Sequence, residues 1–541
     1  MSIRKITCLA GQRKSLGFAL TVLLAILYSM MVARPVLAAS SVTTPNFARI
    51  DAFITAGMQE KRIPGVQVAI IQNDHVVHLK GFGQANDEGM KVTPQTPFMI
   101  ASSSKPITAL AIMQLVEAGK VQLDAPVQRY LPWWRLSDPV QSSRVTIANL
   151  LDHTSGISGS LGGKDWLSDP SKRNWSLEDG VRSFHSSSFV HAVGTTFEYS
   201  NANYETLGLI VQTISGEEFG TYVKQHIFSP LHMNHSTLSL KEAQQEGLQQ
   251  GYTWYFGFPR STQNLYLPAL GPAGMVISTA EDLSHLLVAQ MNGGRYEGTS
   301  ILSPQGIARM YAGNPHASFG PEGAALDLKG NYGLGWFNGS IAGVPAIYHL
   351  GTIVNYASLL VMEPQHHLGA VILMNVNEAS LPTQEPIMYM QNNLTRLLAG
   401  SEPYTAPGLN VQSFYLYADS TLFVWAIYLL WSAGRLRRWS SMFGQRLQSA
   451  LSRKRSLLLA SLRVTWEVGL ALLLLLGIPI VLGGISWLDL PGMFPDLGWA
   501  LLLLSLLTLL IGIVRAVLLL RAARNNASAS SSTVTLSLRR R

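Results

Sequence analysis

Apolar and polar positions alternate differently in three zones of this 541-residue chain, and each zone predicts different elements. From about residue 45 the pattern is that of a globular domain. Residues 46–57 have helical periodicity, with Asn46 placed as a cap. Residues 65–71 and 75–81 predict a strand pair turning at Asn73-Asp74. A helix opening at Ser102 continues through the apolar run 107–116 to about Gly119. Further helices are predicted over 147–152, 204–214, 220–227 and 280–291, the last capped by Ser278 or Thr279. Three strands, 345–350, 356–362 and 370–374, close the zone. Strands at both ends with helices between them predict an α+β fold. It would be an antiparallel sheet joined from N- and C-terminal pieces and flanked by helices, with a mostly helical second lobe.

The two ends are patterned for a membrane. Residues 1–39 combine a basic flank (Arg4, Lys5, Arg13, Lys14), an apolar stretch over 16–32 and the small residues of Val36-Leu37-Ala38-Ala39. That is an export signal or an uncleaved N-terminal anchor. After a 40–400 domain and a 401–413 linker, three apolar stretches (414–431, 468–487 and 499–520) are long enough to cross a bilayer. Asp419 falls near the outer end of the first. The 434–464 loop carries Arg435, Arg437, Arg438, Arg446, Arg453, Lys454, Arg455 and Arg463. Only Asp489 and Asp496 are charged in the next loop, and arginines follow the third stretch. The positive-inside rule then places the 40–400 domain outside the cell membrane, as the export signal does independently. Arg515 is expected to snorkel from the inner end of the third span. The tail 521–541, rich in Ser, Ala and Asn over 525–535, is expected to be disordered.

Charge follows the same division. The net charge is +8 overall, yet residues 40–433 alone balance to −8. The basic excess therefore belongs to segments facing anionic membrane lipid, and nucleic acid is not an expected partner. Cys8 is the single cysteine and lies in the export segment, so the exported domain has no disulfide and no thiol nucleophile.

The chemistry begins at Ser102-Ser103-Ser104-Lys105. Residues at i and i+3 share a helix face, so Lys105 Nζ can reach Ser102 Oγ. A serine alcohol needs a base to become nucleophilic, and a lysine screened from water can lose enough basicity to serve. Further motifs follow in order: Leu150-Leu151-Asp152-His153-Thr154-Ser155-Gly156, Phe197-Glu198-Tyr199-Ser200-Asn201, Gly271-Pro272-Ala273-Gly274 and His349-Leu350-Gly351-Thr352. His366-His367 sits at a predicted hairpin turn. No histidine spacing points to a metal, and neither metal nor cofactor is expected.

This ordered set, over roughly residues 45–395, resembles the serine β-lactamase and penicillin-binding protein superfamily, in particular its class C β-lactamase-like branch. The resemblance implies the β-lactamase/transpeptidase-like fold, with Ser102 as the nucleophile that forms an acyl-enzyme and Lys105 as its proton-transfer partner. It implies that Tyr199 shuttles protons and that Asn201 bonds Lys105 or the substrate. His349 and Gly351 take the place of the family's Lys-Thr-Gly triplet, and the backbone N–H of Thr352 pairs with that of Ser102 as an oxyanion hole. His153 is implied to be structural. The family commonly continues with Pro-Gly-Phe where this chain has Ile353-Val354-Asn355-Tyr356; Asn355 tolerates the left-handed backbone that such a turn needs. With His349 for lysine, less positive charge awaits a substrate carboxylate, which favours a peptidase or esterase over an efficient β-lactamase. The expected activity is that of a serine hydrolase (D-Ala-D-Ala carboxypeptidase, D-aminopeptidase or esterase) on small or peptide substrates, peptidoglycan-derived ones among them. The alternative is a non-catalytic penicillin- or peptide-sensing membrane receptor.

Overall fold

The computed structural model describes residues 45–162, 170–320, 327–378, 385–404, 411–436, 450–481, 487, 490 and 496–538. The export segment and much of the basic loop lie outside these residues.

Seven antiparallel strands form the main sheet. They are β1 (Gly65–Gln72), β2 (His75–Gly83), β3 (Leu328–Tyr332), β4 (Phe337–Ile341), β5 (Val344–Ile353), β6 (Tyr356–Glu363) and β7 (Leu368–Met374). Their order is β2-β1-β7-β6-β5-β4-β3, so the N-terminal pair adds to the C-terminal strands in the register Val66↔Met374. Asn73 and Asp74 turn the first hairpin at φ 49° and 63°, a conformation their short polar side chains tolerate. β6 and β7 are buried along their whole length, which requires cover on both faces. Helices α1 (Phe47–Lys61) and α5 (Glu385–Leu398) cover one face and α4 (Ala280–Met291) the other. Asn46 caps α1 by accepting from Arg49 N, and Thr279 caps α4 by accepting from Asp282 N.

Inserted between β2 and β3 is the second lobe, built on α2 (Lys105–Glu117) and α3 (Asn201–Ser215). A four-residue 3-10 turn, Ala101–Ser104, leads into α2, whose first nine residues, Lys105 through Met113, are all buried. Lys105 is thus taken into the interior at the point where the lobe meets the sheet.

Three C-terminal helices are long and apolar enough to span a membrane. They lie within α6 (Val411–Gly434), α7 (Ala450–Val481) and α8 (Leu497–Leu538). The helix α8 continues through 525–535, where the sequence predicts a disordered tail; that stretch holds neither Gly nor Pro to stop it. Arg515 does not snorkel. It is 1% exposed and pairs with Glu467 of α7, while its other terminal nitrogen donates to Ser432 Oγ of α6 at 2.5 Å. Tyr428 of α6 donates to the same Glu467 carboxylate at 2.9 Å. With a carboxylate in reach from the next helix, the guanidinium is satisfied where it stands. The N-terminal ends of α6 and α8 rest on the globular domain that precedes them: Tyr415 donates to Glu378 at 3.0 Å, Gln412 donates to Glu60 O at 2.7 Å, and Phe256 N donates to Asp496.

Candidate active site

Three serines stand in a row, and their environments separate them. Ser103 Oγ bonds Ser358 Oγ on β6 at 2.8 Å, and Ser104 Oγ donates to Ala101 O at 2.7 Å while accepting from Val276 N. Both are buried, whereas Ser102 is half-buried and turned to the cleft. Ala101, immediately before it, sits at φ 48°, a left-handed conformation that costs a residue bearing a Cβ about 1 kcal/mol or more. The turn is held there by Ile100, whose N–H donates to Val276 O and whose C=O accepts from Ser103 N and Ser358 Oγ.

Lys105 Nζ donates to Ser102 Oγ at 3.2 Å, to Asn201 Oδ1 at 2.8 Å and to Ala273 O at 2.8 Å. Burial disfavours its charged form and lowers its pKa to about 7, against a smaller opposing pull from Glu205. Close to neutrality it is therefore available as a free amine. Asn201 is committed to Lys105, and its amide nitrogen reaches Gly162 O at 3.4 Å.

Tyr199 presents its ring to the Lys105 amine, 4.7 Å from the ring centroid, and its phenol interacts with the Ser102 hydroxyl. Burial outweighs that interaction and pushes the Tyr199 pKa well above its usual value, so the phenol stays protonated near neutrality. Beneath it His153 stacks at 4.4 Å between centroids. His153 Nδ1 accepts from Ser200 N at 3.2 Å and Asn203 Nδ2 at 2.9 Å, which fixes the platform on which Tyr199 rests.

The strand side is set by register. The pair Ile353↔Tyr356 closes a two-residue turn, and Asn355 in that turn takes φ 81° as the sequence allows. Counting back from it, odd-numbered residues of β5 exchange bonds with β6 and even-numbered ones face the other edge. The hairpin closed by Ile341↔Val344 gives the same parity. β4 covers that edge only as far as Phe337, opposite Tyr348. Leu350 and Thr352 consequently point their backbone N–H and C=O toward an edge with no strand on it, and Thr352 is exposed. Gly351 is required for the close approach of the Ser102 turn. A Cβ there would lie 2.2 Å from Ile100 O, 2.3 Å from Ser358 Oγ and 3.0 Å from Ser103 N, so the glycine seats the Ser102 turn against β5. That contact brings Thr352 and Ser102 to one cleft.

His349 departs from the substrate-binding place given to it by its motif. It is 1% exposed, donates from Nδ1 to Leu350 O at 2.7 Å and accepts at Nε2 from Tyr332 OH at 2.8 Å. Burial and the nearby Lys105 drive its pKa to about 3. It is a neutral imidazole behind the cleft wall, and it offers a substrate carboxylate no charge. Sequence reasoning passed over Glu205, which is fully buried one turn along α3 from Asn201. An acid amid the apolar positions of 204–211 was the available signal.

This arrangement of nucleophile, buried lysine, phenol and open strand edge has known counterparts. The profile of the Beta-lactamase family matches residues 50–391. The chain belongs to the β-lactamase family. Among its relatives, protein flp of Staphylococcus aureus (strain MW2) is 27% identical over 449 residues, which cover 82% of this chain and 85% of flp. The octameric penicillin-binding protein homologue from Pyrococcus abyssi superposes with a TM-score of 0.55 at 27% identity, over 66% of this chain and 78% of that one. D-alanine carboxypeptidase AmpC from Burkholderia cenocepacia, at 22% identity and a TM-score of 0.51, shares the fold over 65% of this chain and 98% of its own. The family-matched residues of this β-lactamase-fold chain contain Ser102, Lys105, Tyr199, Asn201, His349, Gly351 and Thr352, while the three long apolar helices lie beyond them.

Proposed function

We propose that this protein is a membrane-anchored serine hydrolase that works outside the cell and forms an acyl-enzyme on Ser102. The observation that carries the reading is Lys105, a buried amine hydrogen-bonded to Ser102 and with its pKa near 7. Neutral Lys105 takes the Ser102 proton while Oγ bonds the substrate carbonyl carbon. The carbonyl electrons move onto its oxygen, which the N–H groups of Ser102 and Thr352 receive, a contribution of a few kcal/mol. Collapse expels the amine or alcohol, which regains the proton from the Lys105 ammonium through the Tyr199 phenol. Water then attacks the ester, passing a proton to neutral Lys105 through the Tyr199 phenol, and collapse releases the acid while Ser102 Oγ takes the proton back from the Lys105 ammonium.

The substrate class is a small amide or ester, with D-amino-acid peptides of the cell wall as the leading case. The edge offered by Thr352 and the Leu350 N–H, with Leu350 O already held by His349, suits an extended peptide that adds to the sheet, and neutral His349 favours peptides or esters over dependence on a carboxylate. The outer ends of α6 and α8 both rest on the hydrolase domain, as expected if the spans run out-to-in, in-to-out and out-to-in from that side. Incubating the full-length protein in detergent with a fluorophosphonate, followed by peptide mass spectrometry, tests the reading. An adduct on Ser102, absent from Ser102→Ala, is expected; folded wild type without an adduct would overturn it. A stable acyl-enzyme that never turns over would favour a sensing role instead.

A further inference from the structure

Glu205 is the buried acid that the chemistry above leaves unused. Both of its carboxyl oxygens are enclosed and neither has a hydrogen-bond partner among the described residues. A buried carboxylate in this condition is costly, and native proteins keep one only where something else compensates it. Asn201 and Glu205 are one turn apart on α3 and so share a face, and Asn201 is the residue that holds Lys105. The backbone of Gly162, at φ 73°, is laid against this face: a Cβ there would be 2.5 Å from Glu205 Oε1 and 2.7 Å from Ala202 N. Any larger residue at 162 would have to displace the carboxylate.

Among the described residues, the surrounding groups leave Glu205 with a single electrical neighbour able to change its charge near neutrality. His153, after the 147–151 helix, and His349, on β5, are both kept neutral by burial. Tyr199 and Tyr204 beside α3, and Tyr332 on β3, are kept protonated. Asp152 is bonded to Thr154 and Asn314. On the Leu177–Arg182 helix, Glu178, Asp179 and Arg182 are at the surface, and Tyr222 on the Phe219–Val223 helix has its pKa raised to about 12. Among the described residues Lys105 remains: burial raises the Glu205 pKa well above the ordinary carboxylate range, the Lys105 charge opposes that rise, and Glu205 in turn favours the Lys105 ammonium.

We propose that Glu205 is the proton-sharing partner of Lys105, a positioning carboxyl whose ionised form is the counter-charge of the ammonium created when Ser102 gives up its proton. The proposal rests on the reading of Ser102 as nucleophile and Lys105 as base. It assigns the site a buried proton-holding pair rather than a lone lysine. Glu205 touches no substrate and acts only through Lys105.

The test is the rate of Ser102 acylation by a fluorophosphonate as a function of pH, in full-length wild type, Glu205→Gln and Glu205→Asp. A charge several ångströms away at an effective dielectric of about 20 is worth roughly one pKa unit or more. Glu205→Gln removes the charge that favours Lys105 ammonium. Its acid limb is therefore expected about one pH unit lower than that of wild type, while Glu205→Asp keeps the wild-type limb. Glu205→Met, which fills the same space without a carboxylate, should shift the limb as Glu205→Gln does. An unshifted limb in a folded neutral variant overturns the proposal. So does loss of the circular-dichroism signature in both neutral variants, which would make the carboxylate structural. Wild type that is never labelled at Ser102 would instead overturn the hydrolase reading on which the proposal is built.

Discussion

Two buried pairs of opposite charge, one in the second lobe and one among the three spans, solve the same problem in different ways. Arg515 and Glu467 are in direct contact, with Ser432 and Tyr428 supplying further bonds from α6. Lys105 and Glu205 are kept apart; the lysine spends its hydrogens on Ser102, Asn201 and Ala273 O, and the glutamate has none. Contact fixes the protonation states and ties three helices together. Separation makes the Glu205 attraction smaller than the cost of burial, which lets Lys105 release its proton near neutrality. The chosen cations agree with this division: a guanidinium does not deprotonate in proteins, whereas an ammonium readily shifts.

The largest effect is expected from giving the site the cation of the spans. Lys105→Arg keeps the charge but loses the base, and Ser102 acylation by a fluorophosphonate should fall by about 10² to 10⁴. A rate within tenfold of wild type would place the base elsewhere. Next comes breaking the contact pair. Arg515→Leu leaves Glu467 with only the longer 3.5 Å pairing to Arg463 and the Tyr428 bond, and should destabilise the span bundle by up to about 3–5 kcal/mol, while Arg515→Leu with Glu467→Leu recovers most of the loss. Thermal denaturation of the full-length protein in detergent reads both, and equal midpoints for single variant and wild type would show that the pair locks nothing.

These two pairs also mark how far the sequence could be read. Ser102, Lys105 and Tyr199 were legible because their spacing and order carry their chemistry. The strands β5 to β7 were legible through their apolar runs. β3 and β4 were not, since Gly330 and Gly339 face each other across the ladder in a stretch with no alternation. Their absence also hid where the sheet edge opens, which is a matter of β4 ending at Phe337. His349 kept the position its motif implies, but its burial behind Tyr332 depends on a strand that the sequence did not reveal. Glu205 and the Glu467–Arg515 pair escaped for a common reason. Each is a relation between helices distant in the chain, and a single-sequence pattern records only which face a residue takes.

The lobe pair also sets a pH dependence that the span pair lacks. Only the free amine of Lys105 accepts a proton, and its pKa is about 7. Acylation should therefore rise with pH through 7 to a plateau, and at pH 6 it should be roughly tenfold below that plateau. The sign for stability follows from the same shift. An unfolded lysine titrates at its ordinary 10.5, so between the two values the unfolded chain binds more protons, and the lysine's contribution to stability grows as pH rises from about 7 to 10.5. Stability curves of wild type and Lys105→Met should differ in slope across that window, and parallel curves would deny the depressed pKa.

The smallest effect comes from removing one phenolic oxygen from each cluster. Tyr428→Phe deletes the bond to Glu467 but leaves Arg515 in place. A hydrogen bond to a charged group contributes about 1.5–3 kcal/mol at most, and less where another donor already serves the same carboxylate, so a loss near 1 kcal/mol is expected, with acylation unchanged. Tyr199→Phe keeps the ring on His153 and loses only the relay, so it should lower turnover while leaving the melting midpoint within about 1 kcal/mol of wild type. Measuring both quantities for both variants sharpens the comparison most economically. If Tyr428→Phe slowed acylation as Tyr199→Phe does, the two clusters would not be independent, and the spans would belong to the catalytic machinery rather than to its attachment.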